Sequence, residues 1–524
     1  MCFILLLASL AACRENVVQS STQTSLSTSE INTPIVVLPY TPTLTREPSG
    51  QITPSPLATT RNTPVPTKTI VYSPTPELTE TPLSPSIPHY DFLVHLDYPN
   101  HYVQVEQTVN LANNSTDSWE EIVFNVSPAY WPNIFSLESL EIALDGVTWS
   151  TEPQWTSTML HVSLPRPLDL DEAITINLAF SLSLPTLDPY GWGPAGNAGW
   201  APDVTQMGDW YPALVPYQTG RGWHTWDYKP VGDPVRSILA DYDITIHAPA
   251  DITIAAPGIQ SDNGDIKTYR LEQARAFSFL ASDQYTRLEG NVGDIAISIY
   301  VTAGHQESGT IVLEEVGRAI TLFTELFGPY PYPEFIIAEN GFLTANEYSA
   351  LVALSGFAFE SYQGNAESLL VALTAHEVAH QWWYGVVGND QVNEPWLDEA
   401  MAMFCELLYY ERHYPESVDW WWFYRVDQWQ PQGFVDISVH DFLDSKTYVH
   451  NMYGVAARFM SDLRNEMGAD TFLTFIHDYY TRNINQIATG NNFFTTARSY
   501  LPATTLRTLT DTYFQQTPSA LMEP

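Results

Sequence analysis

From Tyr90 onward apolar and polar residues alternate in short runs, as in "YDFLVHLDY", "HYVQVEQTVNLAN", "EEIVFNVS", "SLEIALDG", "MLHVSLP" and "AITINLAFSLSLP". A period of two, broken by turn residues, predicts half-buried antiparallel strands, and their series predicts a sandwich-like or saddle-shaped sheet domain. A Gly-, Trp- and Pro-rich piece, from "PYGWGPAGNAGW" to "GDWYPALVPY", interrupts the pattern and reads as an ordered loop with aromatic packing. Strands resume at "YDITIHAPADITIAAPG", "IKTYRLEQ" and "DIAISIYVTAG". Near residue 305 the period lengthens to that of a helix, first in "SGTIVLEEVGRAITLFTELFG" and then over 365–387, 395–412, 447–467 and 470–481, with extended pieces at "PEFIIAEN" and "EYSALVALS". The pattern divides the chain into a β-rich domain at 89–304 and a mostly helical domain at 305–524, a multidomain α+β protein.

Residues 14–88 show neither period. They are dominated by Ser, Thr and Pro, a composition with too little apolar surface to offset chain entropy, and they read as a disordered tether. Ahead of them, "MCFILLLASLAAC" (1–13) has an apolar stretch too short to span a bilayer, then small residues before Cys13, as in a secretion signal. "LAAC" resembles the bacterial lipobox, which implies a lipidated Cys13, a membrane anchor and an extracytoplasmic location, with simple secretion as the other reading. The remaining cysteines are Cys2 and Cys405, so a disulfide framework is excluded for the folded part. With 60 acidic against 21 basic residues and a formal charge of −39, nucleic acid is an electrostatically disfavoured partner.

The chemistry concentrates in "TAHEVAHQWWYG" (374–385). His376 and His380 are four residues apart, which puts both imidazoles on one face of a helix within reach of one ion. Catalytic zinc takes three protein ligands and leaves a fourth position open, so a third ligand must come from elsewhere. Glu399, 19 residues past His380 in "NEPWLDEAMAMF", follows enough turn-forming residues to begin a second helix that returns to the histidines. By chance this combination would occur in roughly one such chain in a thousand. Glu377 borders the same cleft and suits a general base, taking a proton from water and passing it to a leaving amine. Glu406, seven residues past Glu399 on the same helix face, is a candidate to orient a histidine N–H, with a solvated or capping role as the alternative.

"HEVAHQWWYG" followed by "WLDEAMAMF" resembles the gluzincin aminopeptidases, the aminopeptidase N and leukotriene hydrolase family, over roughly residues 90–520. The resemblance implies one zinc ion, peptide substrates and a thermolysin-like catalytic domain behind a β-rich one. It also implies that Glu347, in "TANEYSALVALS", binds the substrate's free amine from an edge strand, with Ala345 and Asn346 departing from the family motif. Of Tyr448 and Tyr453 in "TYVHNMYGVAARFMSDLR", it implies that Tyr453 donates to the oxyanion, although that apolar helix would bury a tyrosine in any case.

A zinc aminopeptidase is the expected activity. A zinc endopeptidase with the same residues, and an inactive surface binding protein, are the alternatives. The cluster "VDWWWFYRVDQWQ" reads as core packing.

Overall fold

Alternation in the first strand is realised residue by residue: along His89–Asp97, Tyr90, Phe92, Val94 and Leu96 are buried while their neighbours face outward. The computed structural model describes residues 87–187 and 197–522. Cys13, the signal and the tether through residue 86 lie outside the described residues. Among those described, no helix is long and apolar enough to cross a membrane.

The first strand sits centrally in an eight-stranded sheet ordered 259–262, 266–274, 240–247, 89–97, 102–112, 173–183, 135–144 and 147–150, antiparallel except where 89–97 meets 240–247. Its buried face packs on smaller sheets. The Tyr90 hydroxyl accepts from the Leu214 amide at 2.9 Å, and the ring lies within 6 Å of Phe92, Tyr211 and Tyr242. The Gly/Trp/Pro-rich piece is not simply a loop. Its described part forms strands Ala198–Ala201 and Val204–Met207 in a four-stranded sheet, because backbone groups that deep must pair.

The boundary expected at 304 also moves. Strands Thr286–Val292 and Ile295–Val301 belong to the next domain: the second pairs in parallel with Glu334–Asn340, inside a five-stranded sheet completed by Leu351–Ser355 and, at its edge, Asn346–Tyr348. Strand pattern alone carries no record of which sheet a strand joins.

Helix Gln306–Leu326 packs against this sheet and against helix Leu369–Ala379, which is apolar nearly all round and buried along its length. Ser368 caps that helix by accepting from the Val371 amide at 3.3 Å. The helix ends well short of the expected residue 387. Beyond His380 the amides of Gly385, Val386 and Val387 turn back to the carbonyls of His380, Gln381 and Trp382, with Tyr384 at φ 121°. Next to the tight turn, Trp382 packs against Phe323 and Tyr330 and Trp383 against Phe327 and Tyr479.

Arg275, buried at the end of a strand of the large sheet, clamps this turn. Its guanidinium donates to the carbonyls of Tyr384, Gly385, Val386, Gln486 and Ser237 at 2.6–3.3 Å. The two domains are therefore joined directly behind the second histidine.

Candidate metal centre and peptide site

His376 lies in the last turn of the capped helix and His380 terminates it, so their Nε2 atoms are 3.1 Å apart. Helix Trp396–His413 crosses this helix and brings Glu399 to them. Its Oε2 lies 3.3 Å from His376 Nε2 and 3.7 Å from His380 Nε2, and it has no hydrogen-bond partner among the described residues. Each imidazole is turned by its other nitrogen: His376 Nδ1 pairs with Glu406 Oε1 at 2.8 Å, and His380 Nδ1 with the Trp383 carbonyl at 3.0 Å. Both Nε2 lone pairs thus converge with an orphaned carboxylate oxygen at one point. Two imidazoles and one carboxylate, each oriented by a further partner, fit one zinc ion with a position left over.

Glu406 is fully buried, and more holds it than the sequence suggested. Arg425 grips both of its oxygens at 2.7 and 2.8 Å, and Trp421 Nε1 donates at 2.9 Å. Burial alone would push this carboxyl up, but Arg425 and His376 more than offset it and hold it down to about 2. The capping role considered for Glu406 is thereby excluded. The tryptophan cluster is core in part, since Trp421 is buried, but it also delivers Arg425 through a π turn at Trp422–Val426.

Glu377 is buried beside the ligands and accepts no hydrogen bond from the described residues, with Oε2 wholly orphaned. Burial, with Glu399 adding to it and His376 opposing it, raises its carboxyl to about 8. Candidate ligand atoms of Glu347, Glu377 and His380 lie within 4.8 Å of one another. Glu347 is on the edge strand, paired to Val352, and Gln391 Nε2 donates to it at 3.3 Å while binding Asp398 at 2.8 Å. Burial and then Asp233 push Glu347 well above the usual carboxylate range.

Tyr453 lies in a second π turn, His450–Val455, inside what reads as one continuous helix. Its hydroxyl donates to Glu399 Oε1 at 2.6 Å, and its ring stacks on His376 at 5.5 Å. Burial and Glu399 keep that hydroxyl protonated. Tyr448 reaches the same oxygen at 3.4 Å.

All seven described site residues expected from sequence, His376, Glu377, His380, Glu399, Glu406, Glu347 and Tyr453, meet here. The residues missed are Arg425, Trp421, Gln391, Asp398 and Asp233. None has a spacing signal, and Arg425 stood unremarked inside the tryptophan cluster.

Two histidines one turn apart and a glutamate from the following helix, beside a sheet whose edge strand offers a further glutamate, define a gluzincin type of metal site. Residues 313–513 match the profile described as the peptidase family M1 domain. The chain is 26% identical over 261 residues to aminopeptidase M1-A of Oryza sativa subsp. japonica, covering 45% of this chain and 30% of that protein. It is 24% identical over 249 residues to human endoplasmic reticulum aminopeptidase 1, covering 44% and 26%. The chain thus spans under a third of these relatives.

Among solved structures, the M1 zinc metallopeptidase of Deinococcus radiodurans shares the fold with a TM-score of 0.60 at 20% identity, covering 84% of this chain and 96% of that one. A two-domain M1 zinc metallopeptidase mutant bound to L-tryptophan matches with a TM-score of 0.61 at 19% identity over the same shares.

Proposed function

We propose that the protein is a zinc metallopeptidase that removes residues from the free N-terminus of peptides. The observation that carries this is the orphaned carboxylate of Glu377 beside the converging His376, His380 and Glu399, with the edge-strand Glu347 within 4.8 Å of Glu377 and His380. His376, His380 and Glu399 would hold the zinc ion, which when bound would supply a Lewis acid to acidify water and polarise the scissile carbonyl.

Glu377 takes the proton from the attacking water and delivers it to the departing amine nitrogen as the C–N bond breaks. The Tyr453 hydroxyl donates to the developing oxyanion once it leaves Glu399. Glu347 pairs with the substrate ammonium, and the open side of its strand aligns the peptide backbone by strand addition. The relatives named aminopeptidase support the amine-directed reading, as does the solved mutant described as bound to a Tyr-Ser-Ala substrate. The lipobox-like start supports a lipid anchor on Cys13 outside the cytoplasm, testable by palmitate labelling with Cys13→Ser as control.

The test of activity is cleavage of alanyl and leucyl fluorogenic amides against their N-acetylated forms, with Glu377→Ala as control. Cleavage of the free-amine forms alone, lost in the variant, is expected. Equal cleavage of both forms would assign the endopeptidase reading, and zinc binding without any cleavage the inactive one.

A further inference from the structure

A segment of the β-rich domain, residues 226–237, crosses to the catalytic cleft and is tied down at several points. Trp226 Nε1 donates to the Pro234 carbonyl at 3.0 Å, Lys229 Nζ donates to the carbonyls of His440 and Phe442, and Arg236 pairs with Asp390 at 2.6 Å. Between these ties Gly232 lies flat on the ring of Tyr448. A Cβ at that glycine would meet the ring at 2.4 Å, and its φ of 61° favours glycine as well. Tyr448 is the residue whose hydroxyl reaches Glu399, so the next residue, Asp233, is held at the rim of the metal centre.

Asp233 is half-buried; its main-chain carbonyl accepts from the Val235 amide at 2.7 Å, and among the described residues no group donates a hydrogen bond to its carboxylate. The other carboxylates there are accounted for. Glu399 and Glu377 turn unpartnered carboxylate oxygens into the candidate metal site, Asp398 accepts from Asn389 and Gln391, Asp209 accepts from Asn197, and Glu347 accepts from Gln391. The segment's own cations do not serve it, since Lys229 and Arg236 point to other partners. Of the surrounding charges Asp233 acts most strongly on Glu347, and it acts on Tyr228, Tyr348, Tyr448 and Tyr453 too. Its surroundings are thus aromatic and anionic, the lining that receives an alkyl stem ending in a cation.

We propose that Asp233 binds a positive charge on the substrate's first side chain, so that the cleft favours peptides beginning with lysine or arginine. The proposal rests on the reading of Glu347 as the carboxylate that holds the α-amine. One ammonium balances one carboxylate, and Asp233 is then a second carboxyl, pushed well above the usual carboxylate range by burial and then by Glu399, which a second cation holds ionised. An N-terminal Lys or Arg brings both cations in one residue. The formal charge of −39 on the whole chain adds long-range attraction for such peptides.

The experiment compares kcat/KM for arginyl, citrullinyl, lysyl and leucyl amides, using the zinc-loaded full chain and its Asp233→Asn variant. Citrulline keeps the shape of arginine without its charge. The wild type is expected to prefer arginine to citrulline, and Asp233→Asn to lower the arginyl and lysyl rates about 10- to 100-fold. The leucyl and citrullinyl rates should change little. Absence of an arginine preference in the wild type, which needs no variant to fold, overturns the proposal. So does an equal loss on all four substrates, which would assign Asp233 to the α-amine instead. N-acetyl-arginyl amide separates the two readings. If it is cleaved as fast as the free form, the role of Glu347 fails, while the arginine-to-citrulline ratio still reports on Asp233.

Discussion

The hydroxyl of Tyr453 donates to Oε1 of Glu399 at 2.6 Å, a bond between an oxyanion-donor candidate and a metal-ligand candidate. Two roles are therefore available to it, and they separate kinetically. Tyr453→Phe is expected to lower kcat about 10²- to 10³-fold with KM and zinc affinity little changed, as for loss of a donor used in the transition state. If zinc affinity falls and kcat of the fully loaded enzyme does not, the hydroxyl only orients Glu399.

Arg425 acts on the metal through Glu406 and His376. Arg425→Met leaves Glu406 buried without its cation, and zinc affinity, measured by competition with a chelator, should fall about 10- to 100-fold. Arg425→Lys should recover part of it, because it restores charge but not the two-pronged grip. Removing zinc from the wild type should abolish cleavage and lower Tm, since carboxylates crowd the site and the ion binds only the folded chain.

Arg275 is a matter of stability. Its guanidinium satisfies five backbone carbonyls around the turn that follows His380. Arg275→Met should cost about 3–5 kcal/mol in chemical denaturation, because buried carbonyls lose their donors. A loss under 1 kcal/mol, on the order of a surface substitution, would show that water replaces the guanidinium.

Asp209 should make stability pH-dependent. Burial raises its carboxyl from 3.8 to about 6, partly opposed by a hydrogen bond from Asn197. The folded state therefore favours the neutral form. This contribution is fully present below pH 3.8 and is lost as pH rises through about 6, amounting to on the order of 2–3 kcal/mol at neutral pH. Asp209→Asn keeps the neutral state at every pH and tolerates the φ of 47° there. Its Tm should exceed that of the wild type at pH 8 and match it at pH 4, and a variant less stable at pH 8 would refute the assignment.

Much of the metal centre was legible in the chain. His376 and His380 share a helix face by the period of the helix, which is a local property, and Glu399 follows after a turn and a helix start that local residues specify. The position of Glu406, two turns beyond Glu399, followed from the same period. The division into strands and then helices was equally plain, because burial imposes its own period on each.

Arg425, Gln391, Arg275 and Asp233 carry no such mark. Each reaches the site from a turn, a strand end or a segment that crosses from the other domain, and each matters through a partner that no spacing predicts. The same holds for the strand Ile295–Val301, which was visible in the sequence although its sheet was not. The linear chain determined which residues could bind a metal, since those positions depend on backbone geometry within one or two turns. Only tertiary packing decided which charges stand around them, because the distance between a carboxylate and a distant arginine is set by how whole elements bury their apolar faces.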